Sequence, residues 1–158
     1  MNDGPEAIHL IDEPAAPPAA VLLDDAGAIE LLRTARRIAI VGASSLPWRA
    51  SNSVMRYLLD KGYECVPITP KRPEVLDRAS YDSLEAAVAA TGPFDIVDVF
   101  RRPEYAPAIA RSAVTTKCRA LWLQQGVISP EAVHIASEGG LEVVMDRCTA
   151  VMHRHVGA

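Results

Sequence analysis

The sequence predicts an α/β fold: a doubly wound, Rossmann-like parallel sheet of five strands in one domain. Three observations carry this. Five short, nearly continuous apolar runs recur along the chain, and helix-length stretches separate them. Continuous apolar runs without alternation mark strands covered on both faces, as in parallel sheets. Glycines stand where helices end, at Gly62 and at Gly139–Gly140, as C-caps with positive φ require.

The elements follow in order. The opening MNDGPEAIHLIDEPAAPPAAVLL is rich in Pro and Ala. Residues 1–25 carry six acids and no Lys or Arg, so this segment reads as a mobile leader. The domain is expected over residues 26–158. DDAGAIELLRTAR predicts a short helix capped by Asp24 or Asp25, with Ile29, Leu31 and Leu32 as its apolar side. Strands are expected at Ile38–Val41, Cys65–Ile68, Ile96–Phe100, Ala120–Leu123 and Leu141–Met145. Helices are expected at Asn52–Lys61, Ser83–Ala90, Tyr105–Val114 and Pro130–Glu138. Right-handed crossovers make 3-2-1-4-5 the expected strand order.

Composition narrows the function classes. The chain has 158 residues and a net charge of −4. Without the leader it holds 16 basic and 14 acidic residues, far from the basic excess of a nucleic-acid binder. No apolar run approaches the roughly 20 residues of a membrane span, and no secretory signal opens the chain. Cys65, Cys118 and Cys148 are odd in number and lack metal spacing, so they read as reduced thiols of a cytoplasmic protein.

In this architecture ligands bind beyond the carboxyl ends of the strands. The first strand is followed by Gly42, Ala43, Ser44, Ser45, then Arg49, Ser51 and Asn52. The second leads into Thr69, Pro70, Lys71 and Arg72, the third into Arg101 and Arg102 after Phe100. The fourth ends at Gln124, Gln125 and Gly126, the fifth at Asp146, Arg147 and Cys148. Six cations thus gather on one edge, which with helix N-termini makes a polyanion site.

An NAD site places an acid after the second strand, on the ribose hydroxyls. Here Lys71 and Arg72 stand there, so the ribose carries a phosphate. NADP and coenzyme A both fit. The first loop lacks the second glycine of G-x-G-x-x-G, with Ser44 in its place, which favours coenzyme A.

Sharper chemistry at single residues is weaker. Ser44 lacks the following glycine of a G-x-S-x-G elbow, since Leu46 stands there. His153 and His155 have no third metal ligand nearby in sequence. Asp98 interrupts an apolar strand and demands a buried partner, such as an arginine or a backbone N–H. Cys148 beside Arg147 reads either as an activated thiol or as a packed one. Trp122 reads as core and Trp48 as loop packing.

From RRIAIVGASSLPWRASNSVMRYLLDKGYECVPITPK, through FDIVDVFRRPEYAP and ALWLQQGV, to LEVVMDRC, the chain resembles the stand-alone CoA-binding proteins. Their fold is shared with the N-terminal domain of the succinyl-CoA synthetase α subunit. The likeness implies that Gly42, Ala43, Ser44, Arg49, Ser51 and Asn52 line the phosphates. It implies that Pro70 and Lys71 meet the 3′-phosphoadenosine end, although Thr69 replaces the family's usual asparagine. It further implies that Phe100, Arg101 and Arg102 flank the adenosine, while Gln124 and Gly126 border the pantetheine. Cys148 is expected at the thiol end on other grounds, because the fifth strand delivers it to the ligand edge. The synthetase's phosphohistidine domain has no counterpart here, and neither an ATP-grasp segment nor a Walker A motif is present. The expectation is a cytoplasmic module that binds coenzyme A or an acyl-CoA without catalysis of its own, with any protein partner left open. An NADP-dependent reductase and a CoA-responsive regulatory module are the competing readings.

Overall fold

A computed structural model describes residues 22–157. Residues 1–21 of the expected leader lie outside the described residues. From Leu23 onward the chain is tied to the fold, because Leu23 N–H donates to the Val143 carbonyl at 2.8 Å.

Helix α1 (Asp25–Thr34) is capped by Asp24, whose carboxylate accepts from Gly27 N–H. Strand β1 (Arg37–Val41), helix α2 (Ala50–Asp60) and strand β2 (Glu64–Ile68) follow. A small hairpin then pairs β3 (Glu74–Val75) with β4 (Arg78–Ala79). Helix α3 (Leu84–Thr91) is capped by Ser83, and strand β5 is Ile96–Val99. A single 3₁₀ turn (Pro103–Tyr105) leads into helix α4 (Ala106–Thr115) and strand β6 (Ala120–Leu123). Helix α5 (Pro130–Glu138) has Ser129 as cap and Pro130 in its first turn. Strand β7 (Glu142–Met145) and the short helix α6 (Thr149–His153) complete the described chain.

The five main strands are parallel, in the order β2-β1-β5-β6-β7. Counting only these five, the order is 2-1-3-4-5, which corrects the expected 3-2-1-4-5. The third main strand, β5, lies beside β1, and the reason is legible at β2. Pro67 has no N–H to give a ladder, so it belongs on an edge strand. Glu64 donates to the Arg36 carbonyl and Ile68 accepts from Gly42, both toward β1, while Pro67 turns its carbonyl outward to Tyr81 N–H. The outer side of β2 is thereby taken by Tyr81, which also bridges Ile68, leaving no place there for a third strand.

Period-two alternation along each strand divides the core between the two faces. Val41, Val99, Leu121 and Val143 pack with Leu84, Ala110 and Ala136 on the face covered by α3, α4 and α5. Ile38, Ile40, Ile96, Trp122 and Val144 pack with Leu31, Met55 and Met152 on the face covered by α1, α2 and α6. On the first face, α4 and α5 meet through small residues: Ala110 and Ala113 against Ala132 and Ala136. Gly139 completes this seam, since a Cβ there would overlap the Val114 side chain.

Candidate functional site

The switch point of this sheet falls between β1 and β5, where chain crossovers depart in opposite directions. A cleft of about 800 Å³ opens there, over the carboxyl ends of β2, β1 and β5. These three strands are adjacent, so their loops are brought together without any long-range folding of the loops themselves.

The first wall is the turn Gly42–Ser45 followed by the start of α2. Gly42 and Ala43 donate to the Ile68 carbonyl at 3.0 and 3.4 Å, which holds the turn down on β2. Ser44 Oγ accepts from Leu46 N–H, and Asn52 Nδ2 donates to the Ser44 carbonyl at 2.9 Å. Asn52 is fully buried and does not line the cleft; it fixes the shape of the turn instead. Ser51 does line the cleft, together with Arg49. Arg49 is the N-cap residue of α2 and makes no side-chain cap bond. That helix terminus therefore keeps N–H groups and positive dipole for an anion.

Gly42 has φ of +89°, and a Cβ built on it would lie 3.2 and 3.3 Å from Arg101 Cδ and Cγ. Gly42→Ala is expected to lower stability by about 1–2 kcal/mol through the left-handed backbone and to push Arg101 out of place. Urea unfolding checks this, and an unchanged midpoint would contradict it.

The second wall is Thr69–Arg72. Thr69 is buried, its N–H bonds to the Tyr81 carbonyl, and its Oγ1 accepts from Lys71 N–H at 3.3 Å. Ser80 Oγ donates to the Arg72 carbonyl. The third wall is Phe100–Arg102 with α4 behind it. Arg101 lies over the Tyr105 ring, 4.0 Å from its centroid, and Arg102 bonds Tyr105 Oη at 3.4 Å. Among the described residues Arg49, Lys71 and Arg72 form no ion pair, whereas Arg102 pairs with Glu104 at 3.7 Å.

Of the residues singled out from sequence, the cleft gathers Gly42, Ala43, Ser44, Arg49, Ser51, Pro70, Lys71, Phe100, Arg101 and Arg102. Gln124, Gly126 and Cys148 are not among its lining residues. They follow β6 and β7, roughly 5 and 10 Å beyond β5 at the usual strand spacing. The Gln124 side chain is committed: its Oε1 accepts from Thr149 N–H at 2.8 Å. Gly126 N–H donates to Asp146. Cys148 is the half-buried N-cap residue of α6, packed against the second core face. Arg147 is drawn away to Asp25 at 3.0 Å, so five of the six expected cations face the cleft.

The cleft also contains groups not foreseen. Tyr105, Ile109 and Ser112 come from the 3₁₀ turn and α4, and Asp82 and Glu85 from the start of α3. Helical spacing at Tyr105, Ile109 and Ser112 would have placed the last two on one face, but nothing in sequence said which helix borders the cleft.

Residues 36–154 match the family described as CoA binding domain. The chain belongs to that family. This CoA-binding-domain chain is 40% identical over 124 residues to the uncharacterized protein YneT of Bacillus subtilis (strain 168), covering 78% of this chain and 90% of that one. A hypothetical protein from Pyrococcus horikoshii OT3 superimposes with a TM-score of 0.80 at 32% identity, covering 92% and 99% of the two chains. The dinucleotide forming acetyl-coenzyme A synthetase 1 of Ca. Korarchaeum cryptofilum gives a TM-score of 0.62 at 20% identity. The match covers 73% of this chain and 27% of that enzyme, a likeness of fold alone.

Other candidates in the CoA-binding domain resolve into structural roles. His153 Nδ1 lies 2.9 Å from Tyr57 Oη, and its ring packs edge-on to Tyr57 and Tyr63. Burial and the nearby Lys61 lower its pKa. Among the described residues no group of three His, Cys, Asp or Glu side chains could hold a metal, and no helix is long and apolar enough to cross a membrane. Cys65 is buried, and burial pushes its thiol up to about 12, which keeps it from acting as a thiolate near neutral pH.

Proposed function

We propose that the cleft binds coenzyme A or an acyl-CoA and that this chain carries it without chemistry of its own. The observation behind this reading is the set of cations Arg49, Lys71 and Arg72, free of ion pairs among the described residues, around an uncapped helix start. Unpaired cations at a concave edge attract a polyanion. A pyrophosphate over Gly42–Ser45 and Arg49, and a ribose phosphate at Lys71, account for them together. The thiols are all free, which accords with a cytoplasmic setting.

Titration calorimetry with CoA, NADP and NAD tests the reading. CoA is expected to bind most tightly, and tighter binding of NADP would reverse the assignment. Trp48 gives a second readout. It is 77% exposed in the turn before Arg49, whereas Trp122 is fully buried. CoA should therefore change the emission of Trp48, and Trp48→Phe should abolish the change without abolishing the calorimetric heat.

A further inference from the structure

The turn Gly42–Ser45 is held from behind, by α2, as well as from β2. Asn52 is buried, and its Nδ2 donates to the Ser44 carbonyl at 2.9 Å. One helical turn further on, Arg56 Nη2 donates to Asn52 Oδ1. Residues four apart on a helix are neighbours on one face. Neither Asn52 nor Arg56 lines the cleft. Arg56 is exposed, and among the described residues it forms no ion pair. A side-chain amide can present either end to a neighbour, but a guanidinium only donates. Arg56 therefore keeps the Asn52 oxygen on its own side and leaves the N–H for Ser44.

We infer that Arg56 is a positioning residue, which acts through Asn52 to set the Ser44–Ser45 peptide so that Ser45 N–H faces the phosphates. The inference rests on the coenzyme reading above. A trans peptide is planar, and its C=O and N–H point in opposite directions. The Ser44–Ser45 bond is trans. With the Ser44 carbonyl drawn back onto Asn52, the Ser45 N–H is turned the other way, and Ser45 lines the cleft. Among the described residues no hydrogen bond uses that N–H, whereas the next one, of Leu46, is already given to Ser44 Oγ. A free backbone N–H at such a turn is a donor for an anion. Turning the peptide over would aim the Ser44 carbonyl oxygen at the phosphates, an acceptor against an anion. It would also strand the buried Asn52 amide without its acceptor. The orientation of one amide thus decides whether the turn attracts or repels the ligand, and Arg56 sets that orientation without touching it.

Calorimetry with CoA on the full chain compares the wild type with Arg56→Met and Arg56→Lys. Arg56→Met is expected to bind about tenfold more weakly, the loss of one hydrogen bond to a charged group. Arg56→Lys keeps a donor one turn from Asn52 and should stay within about threefold of the wild type. A charge acting at a distance is screened by salt and a misplaced peptide is not, so the tenfold ratio should persist at about 0.5 M salt. The Ser45 amide gives a direct readout. Its proton resonance should move downfield when CoA binds the wild type and stay in place in Arg56→Met. Equal affinities of the wild type and Arg56→Met, or a ratio that vanishes at high salt, overturn the inference and leave the coenzyme reading standing. If CoA does not bind the wild type, the coenzyme reading falls, and inorganic pyrophosphate decides the inference alone. A Ser45 shift with pyrophosphate in the wild type and none in Arg56→Met then supports it, and any other pattern overturns it.

Discussion

Dephospho-CoA is expected to bind more weakly than CoA by about 1.5–3 kcal/mol, the range for a hydrogen bond to a charged group. Lys71 is the reason. It is exposed, free of ion pairs among the described residues, and held at the cleft by the Thr69 turn beneath it. In Lys71→Ala the two ligands should approach equal affinity, because CoA loses the contact and dephospho-CoA never had it. Arg72 lies beside it and can retain part of the attraction, so the double substitution Lys71→Ala/Arg72→Ala should erase what remains. Calorimetry at two salt concentrations measures this, since a phosphate contact weakens as salt rises. Equal affinities in the wild type would remove Lys71 from the 3′-phosphate.

Asp98→Asn is expected to stabilise the protein, by an amount that grows as pH rises from about 4, the usual range of a free aspartate. Asp98 is completely buried in β5, and burial raises its pKa well above the ordinary value, against a smaller lowering by the Thr149 hydroxyl. Its Oδ2 is 2.9 Å from Thr149 Oγ1, and Oδ1 has no partner. Thr149 Oγ1 is also 3.2 Å from Gln124 Oε1. That atom must be the amide oxygen, because Thr149 N–H donates to it. One hydroxyl hydrogen cannot serve two acceptors. A protonated Asp98 resolves the conflict: it donates to Thr149, which donates to Gln124. Below the unfolded pKa both states hold the proton and nothing is lost. Above it the unfolded chain releases the proton while the folded one keeps it, so stability falls, at up to about 1.4 kcal/mol per pH unit. The fall continues until the folded pKa is reached. Asparagine offers the same donor without a titration. Urea midpoints of both proteins between pH 4 and pH 8 check the sign, and a constant difference would show Asp98 to be ionised in the fold.

The helices and strands from α1 to β7, the small hairpin aside, were legible because burial on both sheet faces leaves unbroken apolar runs, as in Ile38–Val41 and Ala120–Leu123. The one-turn helix Thr149–His153 was not expected. The strand order was misread although Pro67 announced an edge strand, because crossover handedness constrains direction and not which neighbour a strand joins. The hairpin at Glu74–Ala79 escaped notice. Its turn residues Leu76 and Asp77 both have positive φ, yet neither is the glycine or asparagine that normally marks such a turn. At the site, the cationic loops were readable since each directly follows a strand. Asp82, Tyr105 and Ser112 were not, because their places depend on how helices pack. Asp98 was seen to need a partner, but an arginine or N–H was expected where the structure supplies the Thr149 hydroxyl.

The seam of alanines between α4 and α5, closed by Gly139 against Val114, leaves those helices no slack to slide. Close-packed interiors transmit strain instead of absorbing it. The α4 side of the cleft thus acts as an anvil, fixed from behind, and whatever adjustment a ligand demands falls on the opposite side. There Lys71 and Arg72 hang from an edge strand and a six-residue hairpin, Glu74–Ala79. Natural variation in ligand preference is expected to accumulate in that hairpin side, while the seam tolerates little change of side-chain size and, at Gly139, not even a methyl group.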